Sequence, residues 1–288
     1  MTQPAPLTIS IVTPSYKQPA WLRLCAASVA DQVAPGLVVE HIVHDSLSGP
    51  EVEEAVRPFP NVKLYSEKDQ GMYDAVRRGW DKATGDIFCW LNCDEQYLPG
   101  ALHEVAEYFR NHPEVDLLFA DAIVVDGAGA YLCSRQVLVP HLYHTWTCQL
   151  HTLSCATFFR RSLLRERGFA LDKRWRDAGD AALIVGMLRA GVRTGYLRRY
   201  LSTFGDNGEN RGLRPLAIKE RGDLRGEAPK WVQSLDWLWK LLHRLRRFAN
   251  GLYHPKPFAY DIYTESSPQK RVHFDVPKPT FYWKARMG

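Results

Sequence analysis

ATGDIFCWLNCDEQY, residues 83–97, is the stretch whose reading decides the fold. Ile87, Phe88, Cys89, Trp90 and Leu91 make an apolar run of strand length, preceded by the turn pair Thr84-Gly85. The run reads as a buried strand, yet it opens directly onto Asn92, Cys93, Asp94 and Glu95 with no Gly or Pro between. A strand that only had to stop would use a turn residue. The carboxylates therefore have another task.

Working outward, residues 8–14 (TISIVTP) form a β-branched run, followed by helical spacing over residues 19–32. Residues 37–43 read as a second strand ending at His44 and Asp45, residues 51–56 as a short helix, 62–65 as a strand and 71–83 as a helix. The run 87–91 comes next, then a helix over 100–111. Strand and helix alternate four times, which calls for a mostly parallel sheet flanked by helices. Ligands of such sheets sit at the carboxyl ends of the strands. Three strands end there in polar residues: Pro14-Ser15-Tyr16, His44-Asp45-Ser46 and Asn92-Cys93-Asp94-Glu95.

Past residue 116 the pattern is mixed: a hairpin-like pair over 116–126 and 131–139, the run 152–159, an Arg-rich turn or helix over 160–167 with Arg160 and Arg161 read as a solvated turn, a helix over 180–190 and a strand over 194–204. The expected organisation is a catalytic domain over residues 1–205, with a ligand-binding half (8–115) and a second half (116–205). A polar loop (206–229), an amphipathic basic helix (230–253) and an extended tail (254–288) follow. That helix has two readings, packing on the domain or lying on an anionic membrane surface.

Bulk properties narrow the classes. At 288 residues, 45% hydrophobic and 24% charged, the chain can bury a sizeable core. A formal net charge of +5 is too mild to argue for nucleic acid. Six cysteines without metal-ligand spacing read as free thiols in a reducing cytosol. No signal-peptide pattern and no apolar stretch of spanning length appears, so the expected location is cytoplasmic, with peripheral membrane contact open.

In this order, SIVTPSYKQPAWL, EHIVHDSLSGP, SEKDQGMYDAVRRGWDKATGDIFCWLNCDE, SCATFFRRSLL and DAGDAALIVGMLRAG resemble the family 2 inverting glycosyltransferases of the GT-A, Rossmann-like fold. The resemblance covers roughly residues 8–205 and implies a nucleotide-diphosphate sugar donor, a glycan or lipid-linked saccharide acceptor and Mn²⁺ or Mg²⁺. It places Thr13, Pro14, Tyr16, Asp45 and Asp69 around the nucleoside, and the Asp-x-Asp metal motif on Asn92, Cys93 and Asp94, with Asp94 and the adjacent Glu95 expected on the metal and Asn92 and Cys93 on the nucleotide sugar. Asp180 falls at the position of the general base, although Gly179 and Ala182 stand where the family often has acids. Arg77 replaces a common Asn, as a phosphate ligand or as a solvated helix residue.

The chemistry agrees. A sugar diphosphate leaves as a polyanion that a hard cation on carboxylates neutralises. Inversion needs a base opposite the leaving group, and a helix N-terminus stabilises its charged form. Bland readings compete: Asp94, Glu95 and Asp180 as helix caps, Asp45 as a turn initiator, His151 as a structural histidine, and Arg211 as either a closing-loop residue or an idle one. A catalytically weak sugar-nucleotide-binding module is the competing function. A dinucleotide oxidoreductase would need a GxGxxG after the first strand, which is absent.

Overall fold

Residues 87–90 do form a buried strand in the computed structural model, which describes residues 6–208, 212 and 214–283. The chain runs β1 (Leu7–Ser15), α1 (Pro19–Ala30), β2 (Leu37–Asp45), α2 (Pro50–Val56), β3 (Val62–Ser66), α3 (Met72–Lys82), β4 (Ile87–Trp90), a two-residue β5 (Gln96–Tyr97) and α4 (Ala101–Asn111). Pro19 and Pro50 open α1 and α2, where a missing N–H costs nothing. At Gly79 a Cβ would run into the Val12 side chain, so glycine is what lets α3 lie this close to β1. The second half supplies β6 (Leu117–Val125), β7 (Tyr131–Arg135), α5 (Leu142–Thr147), β8 (Thr157–Arg160), α6 (Arg161–Arg165), α7 (Gly179–Arg189) and β9 (Thr194–Gly205). Beyond these lie α8 (Pro215–Gly226), α9 (Lys230–Ser234), α10 (Asp236–Ala249), β10 (Phe258–Thr264) and β11 (Ser267–Val276).

The main sheet has nine strands in the order β3-β2-β1-β4-β8-β6-β9-β5, with β7 beside β6. β3, β2, β1 and β4 are parallel. Beyond β4 the sheet is mixed: β8 runs against β4 and β6, while β6 and β9 are parallel. After β1 the chain builds outward to one side through β2 and β3, then returns to place β4 on the other side. That reversal leaves a crevice at the carboxyl ends of β1 and β4. Apolar layers cover both faces: Ile9, Ile11, Cys25, Leu102 and Phe109 on the α1 and α4 side, Val12, Trp80, Phe159 and Ile184 on the α3 and α7 side. Trp90 stacks on Phe159 at 5.8 Å and meets Trp80 edge-on, which anchors β4 from below.

Four details depart from the sequence reading. Arg160 is not a solvated turn residue: its guanidinium donates to the carbonyls of Val115 (2.7 Å) and Phe109 (2.9 Å), satisfying the exposed end of α4. The polar stretch 206–229 contains the helix α8, started by Pro215. The basic helix is broken at Leu235 into α9 and α10. The expected extended tail is a hairpin, β10 and β11, joined at Glu265 and Ser266. Its residues Tyr260, Ile262 and Val276 pack on Leu98, Ile123 and Val125. Gln96 pairs with the backbone of Tyr263 through both ends of its amide (2.8 and 2.9 Å), and Arg271 forks onto Asp31. The period-two pattern of Phe258, Tyr260 and Ile262 was the available signal; the turn carries no Gly or Asn to announce it.

Candidate active site

A cleft of about 970 Å³ opens at the carboxyl ends of β1 and β4. Of the residues expected at a site, Pro14, Tyr16, Asp69, Asn92, Cys93, Asp94 and Asp180 line it. The opening stretch explains why. Past Trp90 the chain makes a tight turn in which the Glu95 amide donates to the Asn92 carbonyl (3.0 Å) and the Asn92 amide donates to Glu95 Oε2 (2.7 Å). Glu95 is fully buried and braces this turn from within, while Asp94 at its apex faces the cleft. Expecting Glu95 as a metal ligand is therefore corrected: one carboxylate points inward so that its neighbour points outward. Behind Asp94, the end of β9 approaches so closely that a Cβ on Gly205 would overlap the Asp94 carbonyl. The Cys93 thiol contacts the Pro14 carbonyl at 3.3 Å and ties the ends of β4 and β1 together.

Burial raises the pKa of Asp94, and raises that of Glu95 with help from the Asp94 charge. A cation beside Asp94 would reverse that tendency. The donors fit a hard divalent ion: Asn92 Oδ1 is buried without a hydrogen-bond partner, and among the described residues no cationic side chain pairs with Asp94.

Three other expected residues lie elsewhere. Thr13 is buried against His41 Nε2 (2.9 Å) and Cys25, because its position in β1 points it into the core. Asp45 is buried beneath the cleft: its oxygens accept from the Ser48 amide (2.8 Å) and hydroxyl (2.6 Å), and Ser48 Oγ accepts from the Lys17 amide (2.8 Å). It shapes the loop instead of facing the ligand. Arg77 borders a separate cavity and pairs with Asp74 at 2.7 Å. Arg211 lies outside the described residues.

Lys17 and Leu47 both line the cleft with positive φ (54° and 56°), a conformation non-glycine residues adopt at a cost and keep mainly at functional sites. Asp180 stands in the first turn of α7, accepting from the Tyr73 hydroxyl (3.1 Å) and the Ala181 amide (2.8 Å). Gly179, where an acid was expected, has a reason: a Cβ there would sit 2.8 Å from the Tyr73 ring.

Sequence reasoning missed the support of this helix. Glu220 of α8, 5% exposed, accepts from the amides of Arg176, Asp177 and Ala178, each at 2.8 Å, and so holds the approach to α7 in place. It also missed Arg214 and Arg221, cationic members of the cleft wall, and Asp177. Pro215 was the one local signal that a helix begins there.

This layout, a sheet switch point with an oxygen-donor turn at one strand end and a carboxylate at a helix N-terminus, is that of the GT-A class. Among solved structures the chain resembles S. aureus TarS in complex with UDP-GlcNAc, with a TM-score of 0.61 and 16% identity over 76% of this chain and 64% of that one. It also resembles the mannosyltransferase PcManGT of Pyrobaculum calidifontis in complex with GDP-Man and Mn²⁺ (TM-score 0.51, 15% identity, 86% and 80% covered). The glycosyl transferase family 2 model matches residues 10–168, and the chain belongs to that family. A PGL/p-HBAD biosynthesis glycosyltransferase of Mycobacterium bovis (strain BCG / Pasteur 1173P2) is 30% identical over 164 residues, 54% of this chain and 59% of that protein. The chain thus spans about three-fifths of that relative. A dolichol-phosphate mannosyltransferase of Pyrococcus furiosus is 25% identical over 113 residues, 38% of this chain and 32% of that protein.

Proposed function

We propose that this protein is an inverting glycosyltransferase that moves a sugar from a nucleotide-diphosphate sugar to a hydroxyl of a glycan or lipid-linked saccharide, in the assembly of a surface polysaccharide or glycolipid. The observation that carries the reading is that Asp94 and Asp180, from elements 86 residues apart in sequence (180 − 94), line one cleft. Asp94, with Asn92 Oδ1, would hold Mn²⁺ or Mg²⁺; when bound, that ion neutralises the departing diphosphate. Asp180 removes the proton of the attacking hydroxyl, oriented by the Tyr73 hydroxyl. Pro14, Tyr16 and Asp69 border the nucleoside end, and Arg214 and Arg221 supply positive charge on the facing wall. Relatives of this fold solved with UDP-GlcNAc or GDP-Man support a nucleotide-sugar donor.

The test is nucleoside diphosphate release across a panel of nucleotide sugars, with and without Mn²⁺, for wild type, Asp94→Asn and Asp180→Asn. Metal-dependent release lost in both variants is expected, with donor binding retained in Asp180→Asn. Donor binding without release by wild type would make the protein a binding module.

A membrane-surface site of action extends this reading. No described helix is long and apolar enough to cross a membrane. α10, however, has no buried residue. At about 100° per residue, Trp239, His243, Arg246 and Arg247 share the inward face, and Trp237, Leu241, Leu245 and Phe248 the outward one. Trp237 is 60% and Phe248 72% exposed, with Lys240 and Arg244 beside them. An apolar stripe turned outward and flanked by cations suits the headgroup region of an anionic bilayer.

A further inference from the structure

Outside the cleft three imidazoles from separate segments meet: His144 in α5, His151 in the loop after it, and His243 in α10. Their rings are nearly parallel, with centroids 5.1 Å (144 to 151), 4.1 Å (144 to 243) and 4.0 Å (151 to 243) apart. One ligand nitrogen from each lies within 4.8 Å of the other two. A neutral imidazole carries one donor and one acceptor, so gathering three in a half-buried place is costly unless something uses them. His243 Nε2 is buried with no hydrogen-bond partner. Burial first, then a neighbouring imidazole at each ring, then the charges of Arg135, Arg246, Arg247 and Lys240, push the rings down, to about 4 at His144 and about 3 at His243, and well below the ordinary value at His151. A neutral imidazole has one ring nitrogen whose lone pair can take a metal.

We propose that His144, His151 and His243 form a second metal site, for a borderline divalent cation of the zinc class, that fastens α10 to the wall of the cleft. Imidazole donors suit Zn²⁺, Co²⁺, Ni²⁺ or Cu²⁺, and are a poor match for Mg²⁺ or Mn²⁺, which separates this site from the oxygen donors at Asn92 and Asp94. In a tetrahedral zinc site with Zn–N near 2.0–2.1 Å the nitrogens stand about 3.4 Å apart. The nitrogens therefore close by at most about 1.4 Å on binding, and the ring planes turn out of their stack. α10 has no residue buried as a whole, so the shift is assigned to it. The Gln149 amide NH₂ lies 3.2–3.3 Å from both His151 ring nitrogens and can donate only to the one that carries the lone pair, so it turns aside when a cation takes that lone pair. The nearby guanidiniums weaken dication binding and favour an anion, hydroxide or phosphate, in the fourth position. Because Gln149, Leu150 and Thr152 around His151 line the cleft, occupancy couples α10 to the substrate-facing wall.

Full-length protein purified without a metal-affinity step is titrated with Co²⁺ and with Zn²⁺ alone. The expected result is one equivalent of Co²⁺ giving visible bands of tetrahedral intensity, displaced by Zn²⁺, and a rise in Tm of about 3 °C or more at saturating Zn²⁺. His243→Gln and His151→Gln should each lose the bands and the Tm rise, while Asp94→Asn keeps both. Wild type that takes up no Co²⁺, or bands that survive in the histidine variants or vanish in Asp94→Asn, overturns the proposal.

Discussion

Replacing Glu220 by Ala removes three charge-assisted hydrogen bonds at once, all from backbone amides that immediately precede α7. Each such bond contributes about 1.5–3 kcal/mol, and the loss is not additive because part of the freed segment borders the cleft and can turn to water. A net cost of about 2–4 kcal/mol is expected, a large share of a stability of about 5–15 kcal/mol. For a chain of this size it corresponds to a fall in Tm of roughly 5–10 °C. The second consequence is local. Asp177 and Ala178 lead directly into Gly179 and Asp180, so the base loses its orientation and turnover falls by roughly 10- to 100-fold with little change in donor binding. Thermal unfolding by circular dichroism, hydrogen exchange at residues 176–178 and diphosphate release read the three effects separately. Glu220→Gln keeps one acceptor but sets an NH₂ group against amides, and should fall between wild type and Glu220→Ala in exchange protection. Wild-type Tm, protection and turnover in Glu220→Ala would refute the positioning argument.

Gly179→Ala brings a methyl within 2.8 Å of the Tyr73 ring, and overpacking of this kind costs about 1–3 kcal/mol; a double-mutant cycle with Tyr73→Leu should recover most of it. Asp121, in the middle of β6 and 2% exposed, is pushed up to about 7 by burial, against the amide of Val137 that lowers it. Between about pH 4 and 7 the folded chain holds a proton the unfolded chain has lost, so this group's stabilising contribution is complete below pH 4 and is lost as pH rises through 7. Denaturant titrations should find Asp121→Asn more stable than wild type at pH 8, by an upper bound of about 4 kcal/mol, with the gap closing toward pH 4; a gap independent of pH would contradict it. Trp237→Glu with Phe248→Glu should abolish co-sedimentation with anionic vesicles without lowering Tm, since both side chains already face outward. By contrast, Arg246 donates to the Val139 carbonyl and Arg247 lies over Tyr253, so changing them alters packing as well as charge.

Resemblance to the family singled out Asp94 and Asp180; the amino-acid order alone determined the alternation of strands and helices through β4 and the place where ligand-facing loops converge. Those features are local: apolar spacing, turn pairs such as Thr84-Gly85, and proline at helix starts are written into neighbouring residues. Only the folded chain decided that Asp94 faces the cleft while Glu95 is buried, that Asp45 braces Ser48, and that Arg160 satisfies the end of α4. Side-chain direction at the end of a strand depends on one tight turn, and adjacent carboxylates look alike in sequence. The contacts of Glu220 with residues 176–178, the meeting of His144 and His151 with His243, and the docking of β10 on Leu98 join segments tens to more than a hundred residues apart. No local pattern encodes such pairs, because each forms only when packing of the sheet and its helices brings the chain back on itself.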